Sequence, residues 1–242
     1  MSSTTEPIPV RPRERRRRRR RRALLDCAWR IAAEGGLEAL TIHELARRLD
    51  YTPGALYRYF DSRDALLVAM QLEVLREWGE ALSAVRARCD EVAPEEAAAR
   101  ALLPVLASGA LFQRFAVTQP GRFALVSHLL GVQRHLVADE AARDLVAPLL
   151  ALLGQLAGDL AVAEGVALVP GRADQRALML LAGLQGLLQL RKLRRLAPAT
   201  FAPEEVAPRL VHDLLRGWGA PDAALAAADR ALSALDLPGG VS

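Results

Sequence analysis

Residues 41–63 read TIHELARRLDYTPGALYRYFDSR, and the physics of this stretch decides the fold. Thr41 and Glu44 stand in the T-x-x-E order of a capping box, so a helix begins there. Ile42, Leu45, Ala46 and Leu49 then recur at the i, i+3, i+4, i+7 spacing of one buried face. Asp50-Tyr51 breaks the pattern, and Asp tolerates the left-handed backbone that such a turn needs. Thr52 is a good N-cap, and Pro53 suits the first helical position, where its missing N–H costs nothing. Leu56 and Phe60 lie four apart and face inward with Ile42 and Leu45. Tyr57 and Tyr59 cannot share that face and point to solvent or a partner. Asp61 or Ser62 caps a third helix that runs on through Leu66, Leu67 and Met70.

The second helix therefore opens on Thr52-Pro53-Gly54-Ala55, almost without side-chain bulk, and then presents Tyr57, Arg58 and Tyr59. A helix bare at its N-terminus and edged with aromatic and cationic donors suits insertion into a DNA groove. The ordered pattern T-I-x-x-L-A-x-x-L … P-G-A-L-Y-x-Y-F-x-S-R-D-x-L resembles the N-terminal helix-turn-helix of the tetracycline-repressor (TetR) family, over about residues 20–70. Beyond that only the architecture is similar. Asp50 stands where the family usually has Gly, and Tyr59 where it often has His. The resemblance implies that Tyr57 and Tyr59 donate to phosphates, and that Arg63 and Thr41 contact the DNA backbone. It leaves His43, Thr52, Gly54, Ala55 and Arg58, with Pro53 beside them, to reach base edges. So few polar readers imply that DNA shape is read as well.

The chain has 242 residues, 52% of them apolar, enough for a substantial core in one or two domains. Its net charge of +4 is misleading as an average. Ten of the 32 basic residues and two of the 28 acidic ones fall in residues 1–22, which leaves 22 against 26 in the body. The basicity sits beside the helix-turn-helix. Two readings of the run Arg15–Arg22 stand side by side: a solvated disordered tail, or an arm that neutralises phosphates and enters a minor groove. Cys27 and Cys89 have no metal-type spacing and read as reduced thiols packed on helices. No secretory signal is visible, and the longest apolar run, Ala177–Leu190, is short of a membrane span. A cytoplasmic protein without a membrane partner follows.

Catalytic signatures are missing: there is no G-x-S-x-G, no P-loop and no dinucleotide fingerprint, so neither an enzyme nor a cofactor is expected. Gly217-x-Gly219 follows a helix and terminates it. His128 and His135 lack a third ligand and His212 is isolated, so no metal site is expected.

Along the chain, residues 1–22 read as a disordered Arg-rich arm, 23–66 as the three-helix DNA-binding domain, 67–235 as a helical ligand-binding and dimerisation domain, and 236–242 as a tail. Gly35-Gly36 ends the first helix. Helix 4 runs from about Ser62 to about Cys89, and Pro94 marks a new helix with an acidic first turn. Breaks fall near Gln119-Pro120-Gly121, Gly131, Pro170-Gly171, Pro198, Gly217–Pro221 and Pro238. Pro104 and Pro148 lie inside helices and predict kinks. No strand alternation appears, so the fold class is all-α.

The helix over about 173–196 is apolar nearly all round, with Leu178, Leu181 and Leu188 on one side, and needs cover on two sides. Gly183 and Gly186 would let backbones approach. A second amphipathic helix, Glu204–Leu215, carries Val206, Leu210, Val211 and Leu214. A two-fold four-helix bundle with a second copy satisfies both, with Gln185 in its seam; the other solution is a core helix of a monomer. TetR-like proteins pair through C-terminal helices, so the resemblance implies the homodimer. It also implies a small-molecule cavity between helix 4 and the helices after it. Trp78, Phe112, Phe115, Phe123 and His128, with Gln113 and Arg122, are the candidates at that depth, and a hydrophobic effector is expected. The whole implies a dimeric, ligand-responsive repressor of double-stranded DNA. A sequence-nonspecific nucleic-acid binder working through its arginine tail, and a helical enzyme with a vestigial DNA module, are the rivals.

Overall fold

The computed structural model describes residues 12–131, 140–198 and 200–237, the side chains of 128–143 excepted. Among these residues every regular element is helical. The α-helices are α1 (Pro12–Ala39), α2 (Ile42–Arg48), α3 (Pro53–Leu56), α4 (Arg63–Glu91), α5 (Ala97–Thr118), α6 (Pro120–Gly131), α7 (Glu140–Glu164), α8 (Ala173–Gln189), α9 (Pro203–Gly217) and α10 (Asp222–Ala234). A 3-10 helix, Leu190–Arg195, follows α8. The chain divides into two compact units, Met1–Met70 and Gln71–Ser242, and the division falls within α4.

In the first unit α1, α2, α3 and the start of α4 close over one core. Leu24, Ala28 and Ile31 from α1 are buried with Ile42, Leu45 and Ala46 from α2. Leu56, Phe60, Leu66 and Met70 complete it. The helix breaks at Gly36, whose φ of 74° and ψ of 177° leave the helical region, where the Gly-Gly pair placed the end. The arginine run differs from expectation. Residues 12–22, expected within a disordered arm, form the first turns of α1; residues 1–11 lie outside the described residues. Arginine is a good helix former, and Glu14 pairs with Arg18 one turn on at 2.7 Å. Every side chain from Arg13 to Arg22 is exposed.

In the second unit α5 is the central helix. Twelve of its residues are buried, among them Leu102, Leu103, Leu106, Leu111, Phe112 and Phe115, and α6 to α10 pack around it. Pro104 and Pro148 lie inside α5 and α7, which continue through them. Trp78 stacks on Phe112 with ring centres 4.8 Å apart, and Phe123 meets Phe112 and Phe115 edge-on. Arg176, buried at the start of α8, pairs with Glu164 at 2.7 Å, donates to the Val169 carbonyl and lies over the Trp218 ring. It ties the Pro170-Gly171 break to the helices on either side. Among the described residues α5 and the Asp144–Glu164 part of α7 are long and apolar enough to cross a membrane, longer in that respect than the run Ala177–Leu190. For α5 the reason is burial in this core, at 67% of the apolar window; α7 has 22% of its window buried.

Candidate nucleic-acid interface and ligand cavity

The turn between α2 and α3 is built from the backbone outward. Glu44 N–H donates to Thr41 Oγ1 at 3.0 Å, which starts α2. Leu49 caps the other end, Asp50 takes φ 57°, and Tyr51 N–H reaches back to the Ala46 carbonyl at 2.9 Å. That six-to-one bond is a Schellman closure, with Asp in the left-handed position that glycine usually fills. Thr52 then caps α3, accepting from Ala55 N–H at 3.3 Å, with Pro53 in the first turn. The regular helix is only four residues long, but Phe60 N–H still donates to the Leu56 carbonyl at 3.0 Å, so helical turns carry on past Tyr59.

Leu56 and Phe60 anchor this short helix inward. Thr52, Gly54, Tyr57 and Arg58 are exposed, while Pro53, Ala55 and Tyr59 are half-buried. A Cβ on Gly54 would meet nothing within 4 Å, so the N-terminal edge of α3 is open. Thr41 and His43 are exposed at the start of α2. The capping box is only half formed: instead of returning to Thr41, Glu44 takes hydrogen bonds from Arg47 and Arg48 at 2.7–2.9 Å. These donors, Arg47 first, hold its carboxyl down to about 2. Arg48 also reaches Glu34 on α1 at 2.5 Å.

Arg63 departs from its expected role. Its Nε donates to the Leu40 carbonyl and its Nη2 to the Leu37 carbonyl, each at 2.7 Å. The guanidinium therefore closes the end of α1, with Nε and Nη2 both used inside the fold. The carbonyls left open beyond Gly36 supply the physical reason. Tyr51, 46% exposed at the turn itself, was not among the expected contacts.

Residues of the second unit line a cavity of about 50 Å³ that opens to solvent. Trp78, Leu82 and Arg86 of α4 form one wall, and Val105, Ser108 and Phe112 of α5 another. Leu152, Gln155, Leu156 and Asp159 of α7, with Leu180, Leu181 and Leu184 of α8, complete it. Two expected ligand residues, Trp78 and Phe112, line this space. Phe115 and Phe123 do not: they pack in the aromatic cluster, held there by edge-on contact. His128 lies in α6, its side chain outside the described residues, and His135 lies outside them altogether. Gln113 is away from the cavity, donating to the Glu204 carbonyl at 3.1 Å, and Arg122 pairs with Glu77 at 2.5 Å.

The polar part of the wall escaped the sequence reading. Arg86 Nη2 and Asp159 Oδ1 pair at 2.7 Å. Burial pushes the Asp159 carboxyl up to about 6 against the opposing pull of Arg86. Burial, with Asp159 next, also lifts the neighbouring Cys89 thiol to about 11; Cys27 and Cys89 are both unbonded and buried. A single carboxylate in the apolar run ALLGQLAGDLAVA was the available signal.

On α8 and α9 the expected dimer residues separate. Leu178 is 55% exposed and Val206 37%, with Leu181, Leu210 and Leu214 half-buried. Leu188 is fully buried, and Gln185 is 7% exposed with its Nε2 donating to Ser127 Oγ at 2.6 Å. Neither is open to a second chain, because α8 turns that side into its own core. Gly183 serves the chain itself: a Cβ there would come within 3.1 Å of Leu210 on α9. The exposed apolar stripe of α8 runs instead through Leu178 and Met179, with Ala182 and Gly186 beside them. His212, expected to be isolated, bonds Asp229 at 2.9 Å and the Pro208 carbonyl at 2.7 Å.

A capped, Schellman-closed pair of short helices in front of a separate all-helical unit defines a helix-turn-helix protein of two parts. The family model of bacterial regulatory proteins, tetR family, matches residues 24–70, so the helix-turn-helix segment of this chain is similar to that family's. It is similar to the HTH-type transcriptional regulator BetI of Rhizobium meliloti (strain 1021), 34% identical over 94 residues, which are 32% of this chain and 46% of that one. The HTH-type transcriptional repressor KstR of Mycolicibacterium smegmatis is 46% identical over 46 residues, 19% of this chain and 22% of its own. The chain thus spans less than half the length of either relative. Over nearly full length the fold matches the MbdR regulator from Azoarcus sp. CIB, at 22% identity and a TM-score of 0.57, covering 81% of this chain and 97% of that one. It also matches a TetR/AcrR-family regulator from Thermobifida fusca, at 20% identity and a TM-score of 0.56, covering 83% and 98%.

Proposed function

We propose that the protein is a homodimeric transcriptional repressor that grips an operator through α2 and α3 and releases it when a small molecule enters the cavity of the second unit. The observation that carries the reading is the split of α3. Its large apolar side chains are buried, while its bulk-free edge and Tyr57 and Arg58 face outward. Nothing in the first unit's own packing needs that outward set. Tyr57 and Tyr59 place the helix by donating to phosphates, and Thr52, Gly54, Ala55 and Arg58 read base edges. Repression follows the named role of the KstR relative. The exposed stripe of α8, with Val206 on α9, is the seam for a second copy, and the two α3 helices then meet successive major grooves about 34–36 Å apart or at a wider spacing. Helix α4 links the two activities: Leu66 and Met70 belong to the DNA-binding core, and Trp78 and Leu82 to the cavity wall. A ligand that favours one setting of α4 by about 1–3 kcal/mol would weaken operator binding roughly 5–150-fold. The protein works in the cytoplasm, where the DNA is.

The test is a gel-shift titration with a duplex selected from fragments of the source genome. Tyr57→Phe should lose about five-fold in affinity with an unchanged melting temperature, as expected for one phosphate hydrogen bond. Equal affinity for selected and scrambled duplexes would end the reading.

A further inference from the structure

Two residues of the cavity wall carry buried polar atoms that the fold leaves without partners. Trp78 is 6% exposed, and its indole N–H finds no acceptor among the described residues. The Oε1 of Gln155 is likewise buried and unpartnered. Both residues line the same space, from α4 and α7. A buried polar atom without a partner costs on the order of 1–3 kcal/mol, so each is a standing preference for a complementary group. The other strong polar groups of the wall are already occupied. Ser108 Oγ donates to the Pro104 carbonyl at 2.8 Å, and Arg86 and Asp159 neutralise each other. With Asp159 only 5% exposed, an ionic ligand would have to break this pair or bury its own charge against apolar walls.

We propose that the cavity takes an uncharged, mainly apolar molecule that offers a hydrogen-bond acceptor to the Trp78 indole N–H and a hydroxyl or amide N–H to the Gln155 side-chain oxygen. The proposal rests on reading the second unit as the effector-binding one, and it names the chemistry of that effector. Selectivity comes from the two unpaired atoms, since a site built to hydrogen-bond a ligand disfavours analogues that leave its polar groups unmet.

The experiment is calorimetric titration of the full-length protein with three probes that share one chain: decanol, decanoate and decyltrimethylammonium. Decanol should bind at least about ten-fold more tightly than either ion, given the cost of burying an unpaired charge. Trp78→Phe, which keeps a ring but removes the N–H, should weaken decanol by about five-fold. Gln155→Met, a change of similar size on a different helix, should weaken it by a similar factor and guards against a packing defect at Trp78. An ion that matches decanol, no decanol binding up to its solubility, or decanol binding unchanged in both variants would overturn the proposal. Operator binding by the same preparations is scored separately. If it persists while the probe order fails, only the ligand class is wrong; if it is missing, the regulator reading itself fails.

Discussion

Two residues carry tests of the first unit on their own. Asp50 holds a left-handed backbone that a Cβ disfavours, and its short polar side chain is what makes the conformation tolerable. Asp50→Ala should cost about 1 kcal/mol and Asp50→Gly should cost nothing or stabilise, measured by chemical denaturation. The opposite order would mean that the turn does not need φ above zero. Arg63 is held by two backbone carbonyls, so Arg63→Ala should destabilise the fold by about 1–3 kcal/mol before any DNA is added. A variant as stable as the wild type, with only DNA affinity lost, would restore the phosphate role. At this scale the sequence was legible wherever chemistry is local. The caps at Thr41 and Thr52, the turn at Asp50 and the buried pair Leu56/Phe60 all follow from neighbours in the chain. Arg63 was not legible, because its partners lie 23 and 26 residues away.

Helices α1 and α7 hold the next tests. The arginine turns of α1 project exposed side chains ahead of the first core residue, Leu24, with Arg21 lying over the Phe60 ring. Deleting Arg13–Arg22 should therefore spare the fold and flatten the dependence of log affinity on log salt by about 2 or more, at about 0.9 per phosphate neutralised. Preference for the selected duplex over a scrambled one should not change; an unaltered slope would return the run to the role of a solvated tail. On α7, Asp159 titrates near 6 in the fold against 3.8 in its ordinary state. Between those values the native chain holds the extra proton, so this group's contribution to stability is present below about pH 4 and lost as pH rises through about 6. Relative to Asp159→Asn, the wild type should lose stability from pH 4.5 to 7.5 in urea titrations. A pH-independent difference would show that Arg86 fully compensates the burial. Helix ends at Gly36, Gln119 and Gly217 were readable because Gly and Pro act on the backbone directly. Which face of α8 is buried was not readable: leucines on both sides of the helix are chemically alike, and only packing against α9 and Ser127 distinguishes Leu188 and Gln185 from Leu178.

For the molecule as a whole, the proposed function divides the work between the two units: α2 and α3 would meet DNA, while the helices around α5 line a cavity and leave an apolar stripe on α8. The helix-turn-helix was legible because it is one continuous stretch of chain. The cavity was half legible, since four separate helices build it and its Arg86–Asp159 pair joins residues far apart in sequence. The most direct measurement is the mass of the complex formed on a duplex chosen from random fragments at moderate ionic strength, by light scattering coupled to size exclusion. We expect enrichment of an inverted repeat and an even number of chains on each copy of it, with Leu178→Glu reducing the free protein to monomers. One chain per duplex, or no enriched sequence at all, would contradict the account.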